Sequence, residues 1–231
     1  EICVKETCIL EEKQDVYCLT VEDTHNFLIE GGVVVHNCGV LTTLFKVKEE
    51  IDFKALDDFI LSAIPNGCNV RNGIHKDIHS EIKQLISEVV KDLRLGNLNY
   101  HYDSCGTLGG GNHFIEAYND GWLAVHSGSR NIGYKVAKYY QKLAEHRIKE
   151  YNAALLKEKL QSIEPTQREN WLKANRITIN KDLCYLTGQD MSDYLHDISV
   201  MQRFANDNRA KMLSEITNAM GGVILEHISS I

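Results

Sequence analysis

Gly106 to Arg130 reads GTLGGGNHFIEAYNDGWLAVHSGSR, and the architecture of the chain turns on how this stretch folds. Gly109-Gly110-Gly111 frees the backbone to turn tightly or to approach a ligand, because no Cβ obstructs positive φ. His113 to Tyr118 and Trp122 to His126 are apolar runs flanking Asn119-Asp120-Gly121, the pattern of a β-hairpin. With Asp120-Gly121 as a two-residue loop, His126 lies opposite Ile115, and His113 and His126 share one face, close enough to share a metal ion. Changing the loop by one residue would send them to opposite faces. Beyond the hairpin, Ser127-Gly128-Ser129-Arg130 supplies hydroxyls, free backbone and a guanidinium at the start of a helix near Ile132, a turn suited to a phosphate.

Helical stripes surround this segment. Apolar residues recur at helical spacing from Asp52 to Ile64, stopping before Pro65, and from Ile74 to Leu95, closing at Gly96. Two further helical regions run from about Gly133 to Leu160 and from Met191 to Met220. Helices around a hairpin predict an α+β, mixed fold.

The chain has 231 residues, 43% hydrophobic content and two prolines, as expected of one or two packed domains. Its net charge is −7, and the charge is uneven. Residues 1–37 carry eight acidic side chains against Lys5 and Lys13, leaving 24 acidic and 23 basic residues in 38–231. A near-neutral body excludes a domain-wide basic excess, so a nucleic-acid partner would need a local basic face. No apolar run reaches the ~20 residues that span a bilayer, and no signal peptide opens the sequence, so a cytoplasmic protein without membrane contact is expected. Seven cysteines without a CxxC pair are expected to be mostly reduced, with Cys68, Cys105 and Cys184 in or near the core.

The charge step coincides with a chemical junction. Val16-Tyr17-Cys18-Leu19-Thr20-Val21 alternates as a strand, Thr24-His25-Asn26-Phe27-Leu28 follows, and Gly31-Gly32 turns the chain into Val33-Val34-Val35, which ends on His36-Asn37-Cys38. An Asn amide can attack its own carbonyl, closing a succinimide and breaking the bond to the next residue. A neighbouring His can polarise the groups involved, and a Cys thiol can accept an acyl group.

Residues 1–37 resemble the C-terminal fragment of an intein, a short all-β Hint-type piece. The resemblance implies that His36 assists cyclisation of Asn37, that His25 supports the same step, and that Cys38 begins the downstream host protein. Cys18 stands where many inteins carry Asp and is assigned no role. An N-terminal intein half would be the partner for splicing.

Residues 38–231 resemble a second family. Cys38-Gly39-Val40, Gly106 to Glu116 and Val125 to Arg130 are similar to motifs of RtcB, the GTP-dependent RNA ligases, with similarity extending to Asp193-Tyr194 and Phe204-Ala205. That resemblance implies a truncated RtcB-like mixed α/β fold. It implies a ligase that joins RNA 3′-phosphate or 2′,3′-cyclic phosphate ends to 5′-hydroxyl ends, in tRNA splicing or RNA repair, with GTP and two Mn²⁺ ions. By the same resemblance Cys38, His113 and His126 are metal ligands, Asn112 and Glu116 lie near the guanine nucleotide, and Ser129 and Arg130 belong to the phosphate turn. Strict strand alternation would point Glu116 away from His113. An archease-like activator is a further implied partner. The family's Asp ligand, its HNY-type His and its guanylylated His have no counterpart in residues 38–231, so the chain is expected not to ligate RNA by itself. His227, in an Glu-His-Ile-Ser context, is not assigned. Two other readings stay open at this level: autoprocessing at Asn37-Cys38, and an inactive Mn²⁺- or nucleotide-binding remnant. His75 and His79, spaced i,i+4, read as surface histidines, and Lys135 to Lys149 reads as the charged flank of a helix.

Overall fold

A computed structural model describes residues 39–46, 50–73 and 78–230, together with the backbone course of residues 26–29 and 33–36. His25, Asn37, Cys38 and His75 lie outside the described residues, as does the expected strand at 16–21. Strands β1 (Asn26–Ile29) and β2 (Val33–His36) pair antiparallel, with Asn26 opposite His36. The second strand thus ends one residue before Asn37.

The body of the chain is a four-stranded antiparallel sheet packed on helices. Strand β3 (Val40–Lys46) is followed by α1 (Phe53–Ala63), α2 (Ser80–Asp92), α3 (Leu98–Asp103), β4 (Phe114–Ala117), β5 (Trp122–His126), α4 (Arg130–Gln161), α5 (Arg168–Ala174), α6 (Gly188–Ala219) and β6 (Val223–Ser230). Sheet order is β4-β5-β3-β6. Local chemistry sets several boundaries. The Asp52 carboxylate accepts from the backbone N–H groups of Lys54 and Ala55, both at 3.0 Å, and so starts α1. Asn97 does the same for α3. Helix α1 stops at Ile64, which is extended before Pro65. The four anticipated helices are all present; α3 and α5, at six and seven residues, are too short to leave a periodic trace.

The hairpin register departs from expectation by one residue. Phe114 pairs with His126 and Ile115 with Val125, so His126 lies opposite Phe114 and not opposite Ile115. The turn explains the shift. The Tyr118 N–H donates to the Trp122 carbonyl at 2.8 Å and Gly121 adopts φ +92, so Asn119-Asp120-Gly121 form a three-residue loop in which Gly121 takes the left-handed position.

Two clusters make the core. In one, Ile82, Ile86 and Val89 of α2 meet Ile132 and Val136 of α4 and Val200, Met201 and Phe204 of α6. In the other, Leu41 and Phe45 of β3 and Leu123 and Val125 of β5 cover Leu56 of α1 and Met212, Leu213 and Ile216 of α6. Helix α6 therefore serves both, its earlier turns in the first cluster and its later turns under the sheet. Between them sit Asn208 and Arg209, both buried.

The cysteines divide. Cys105 is buried, and burial pushes its thiol up to about 12. Contrary to the expectation of a near-core thiol, Cys68 is exposed, because it sits in the loop after α1; Cys184 is half-buried. His79 is exposed, with Nδ1 3.1 Å from Asp207. His227 ties the sheet together through Nδ1, 2.8 Å from Thr43 Oγ1. His101 is fully buried; its Nε2 lies 3.3 Å from the Leu95 carbonyl, and burial lowers its pKa. Among the described residues, no helix is long and apolar enough to cross a membrane.

Candidate functional site: two histidines on the Gly-rich loop and strand β5

The Gly-rich segment is held from both sides. Its Leu108 N–H donates to the Pro65 carbonyl, and its Gly109 carbonyl accepts from Gly67 N–H, both at 2.9 Å. The Leu108 carbonyl is the hub of the site. It accepts from Ser127 Oγ at 2.8 Å, from His113 Nδ1 at 2.8 Å and, more weakly, from Arg130 Nη1 at 3.4 Å. A carbonyl can only accept, so Nδ1 of His113 carries the proton and Nε2 keeps its lone pair. A backbone partner of this kind is what orients a metal-binding imidazole.

His126 is brought to the same place from the end of β5. The two rings lie 5.8 Å apart at 68°, and Phe114 stacks on His126 at 5.2 Å and 16°. The corrected register puts Phe114, Glu116 and His126 on one face of the sheet and turns Ile115 and Ala117 towards the core. Strand alternation alone would then separate the two histidines. They meet because His113 precedes β4 and is drawn round by its bond to Leu108, outside the pleat. His126 Nδ1 is buried with no hydrogen-bond partner, an orphaned nitrogen that costs stability unless something binds it. Burial lowers the pKa of both rings, aided by Arg209 at His126 and by Arg130 at His113. Both are therefore neutral near pH 7, the form in which imidazole binds a cation.

Arg130 begins α4 with φ +58, and its side chain turns back under the Gly-rich loop. Its Nε donates to Thr107 Oγ1 at 2.9 Å and Nη2 to the Gly67 carbonyl at 3.0 Å. Of five N–H groups, two remain for another acceptor. A Cβ on Gly109 would stand 1.7 Å from Arg130 Nη1, so glycine is required for this approach. Ser129, the helix N-cap, makes no side-chain cap bond, leaving the first-turn N–H groups of α4 without a side-chain acceptor from that residue. Asn112 is exposed. Glu116 is exposed and accepts from Tyr118 OH at 2.8 Å.

The structure thus brings together His113, His126, Ser127 and Arg130 of the residues singled out in the sequence, with Glu116 further along the His126 face. Among the described residues, no three His, Cys, Asp or Glu side chains converge on one point. Sequence reading missed Asn208 and Arg209. Asn208 Oδ1 accepts from Thr107 N–H at 3.0 Å, and Arg209 Nη1 donates to the Ser127 carbonyl at 2.8 Å. A signal was present: Phe204, Asn208, Met212 and Ile216 follow one i,i+4 row, so a polar residue occupies a core position of an otherwise apolar stripe.

Comparison with known proteins identifies the family. The profile of tRNA-splicing ligase RtcB matches residues 94–230, which takes in the Gly-rich loop, both histidines, Arg130 and α6. An RNA-splicing ligase RtcB1 from Escherichia coli strain ATCC 25922 is 32% identical over 130 residues, covering 54% of this chain and 26% of that protein. The RNA-splicing ligase RtcB of Escherichia coli K12 is 31% identical over 129 residues, 53% of this chain and 26% of that protein. A tRNA-splicing ligase RtcB from Methanocaldococcus jannaschii is 27% identical over 184 residues, 58% of this chain and 19% of that protein. The chain spans about a quarter or less of the length of these relatives. With more than half of its residues inside the matched region, the chain belongs to the RtcB family of tRNA-splicing ligases.

Proposed function

We propose that residues 38–231 are the part of a GTP- and Mn²⁺-dependent RNA ligase that carries two metal-binding histidines, and that residues 1–37 are an intein C-terminal fragment which leaves Cys38 at the head of the ligase. The observation that carries the first half is the meeting of His113 and His126 at 5.8 Å, with His113 Nδ1 committed to Leu108 and His126 Nδ1 orphaned. Two neutral imidazoles, one oriented through its far nitrogen, are a donor pair fit for Mn²⁺. Cys38 stands two residues before Val40, the register partner of His126, and is the third ligand in this reading. A divalent ion there would supply positive charge to a phosphate oxygen.

The remaining assignments are those that the family resemblance implies. The free N–H groups of Arg130 and the first turn of α4 beyond Ser129 bind a phosphate. Asn112 and Glu116 hold the guanine nucleotide at the exposed edge of β4. The substrates are RNA 3′-phosphate or 2′,3′-cyclic phosphate ends and 5′-hydroxyl ends, in tRNA splicing or RNA repair in the cytoplasm, with an archease-like protein as activator.

Titration of the full chain with Mn²⁺ tests the reading. His113→Ala and His126→Ala are each expected to weaken binding by tenfold or more, on the order of the loss seen when a metal-site residue is removed. Equal affinity in wild type and both variants would reject the ligand assignment.

A further inference from the structure

His113 follows the Gly-rich loop and His126 ends β5, and the pairing of Phe114 with His126 sets them side by side; beyond that pairing, Gly106–Asn112 and Ser127–Arg130 are held together by side chains. The amide of Asn208 bridges them as well, alongside the direct bonds of Ser127 and Arg130 to Leu108 and Thr107. Its Oδ1 accepts from Thr107 N–H at 3.0 Å, on the Gly-rich side. Its Nδ2 donates to Ser127 Oγ at 3.1 Å and to the Gly128 carbonyl at 3.2 Å, on the side that follows His126. Asn208 is fully buried, so these bonds are formed away from competing water. Next to it, Arg209 donates to the Ser127 carbonyl at 2.8 Å, and its guanidinium fills the space under Gly39, where a Cβ would come within 2.8 Å. The pair sits on α6 where the helix passes from one hydrophobic cluster to the other. The anchor is therefore rigid.

We propose that Asn208, backed by Arg209, is a positioning residue of this site: it braces the Gly-rich loop against the Ser127-Gly128 turn that follows His126, and so steadies the two rings in their mutual orientation. The metal half of this statement rests on the function proposed above; the clamp itself does not. Each bond has a separate consequence. The Oδ1 acceptor fixes the start of the Gly-rich loop, whose Leu108 carbonyl then orients His113. The Nδ2 donors fix Ser127, whose hydroxyl donates to the same Leu108 carbonyl. Losing the amide leaves the segments joined by the hairpin and by the Ser127 and Arg130 bonds to Leu108 and Thr107, but frees Thr107 N–H and Ser127 from their shared partner while the hydrophobic clusters on either side stay packed.

The test uses the full chain and two substitutions. Asn208→Leu keeps the volume and removes every bond. Asn208→Asp keeps the Oδ1 acceptor and removes both Nδ2 donors. In Asn208→Leu, amide exchange at Thr107 is expected to rise about tenfold or more relative to Ile86 in α2, the contact between the His113 and His126 rings is lost from NOE spectra, and Mn²⁺ binding weakens about tenfold. In Asn208→Asp, Thr107 stays protected but the ring contact and Mn²⁺ affinity still fall. In a His126→Ala background, the effect of Asn208→Leu on Mn²⁺ binding should disappear, which a general loss of stability would not produce. Unchanged Thr107 exchange and an intact ring contact in Asn208→Leu would overturn the clamp. Wild-type protein that fails to bind Mn²⁺ would instead reject the metal reading, with exchange and NOE data still deciding the role of Asn208.

Discussion

Replacing Gly109 by alanine is expected to destabilise the protein by about 3 kcal/mol and to abolish the candidate metal site in the same step. Two costs add. The first is conformational: Gly109 has φ +90, where a side chain is strained by about 1–2 kcal/mol. The second is steric, because a Cβ there would lie 1.7 Å from Arg130 Nη1, 2.5 Å from Arg130 Cζ and 2.7 Å from His113 Nδ1. Arg130 then shifts from Thr107 and Gly67, and His113 from Leu108; these bonds are part-buried or exposed, so weakening them adds about 1–2 kcal/mol in all. Gly111→Ala is the control, since Gly111 has φ +77 but nothing within 4 Å of its Cβ. It should cost about 1–2 kcal/mol and leave Mn²⁺ affinity unchanged. Urea unfolding and metal titration on both variants check this, and equal behaviour of the two would show that the close approach of Arg130 and His113 is not what Gly109 serves.

The second large effect concerns the junction and is all-or-none. With an N-terminal intein half supplied, Asn37→Ala should eliminate release of the 38–231 product. In the proposed intein chemistry, the bond between Asn37 and Cys38 would break when the side-chain amide nitrogen of Asn37 attacks its own carbonyl carbon, closing a succinimide and leaving Cys38 with a free amine. Alanine has no such nitrogen. Intact-mass analysis reads the outcome, and persistence of the 38–231 mass in Asn37→Ala would reject the assignment.

Much of the fold was legible because long amphipathic helices announce themselves. Helices α1 and α2 fall within stretches whose apolar spacing marked them, and α4 and α6 overlie theirs while each starts three residues earlier. Strands β3 and β6 were not read. They pair with each other across 190 residues of sequence, Val40 opposite Ser230, and short alternating runs do not announce a distant partner. At the candidate site, the density of Gly, His, Ser and Arg between Gly106 and Arg130 drew attention to a segment whose histidines do meet, but the geometry did not follow from it. One residue of loop length, decided by the left-handed Gly121, changed which side of the sheet His126 faces. The contact between the histidines survived for a reason periodicity cannot supply: His113 lies outside the strand, and the Leu108 carbonyl holds it there. Asn208 was hidden differently, as a polar residue in a helix that reads as amphipathic, where asparagine is assigned to the surface by default.

The reading as a whole stands on His113 and His126 binding one metal ion together. Electron spin-echo spectroscopy of the Mn²⁺-loaded chain, grown with ¹⁵N-histidine, counts the bound imidazole nitrogens directly. The account predicts ¹⁵N couplings from two histidines in wild type and from one in each of His113→Ala and His126→Ala. Mn²⁺ bound with no histidine coupling, or with couplings that both substitutions leave intact, would contradict it.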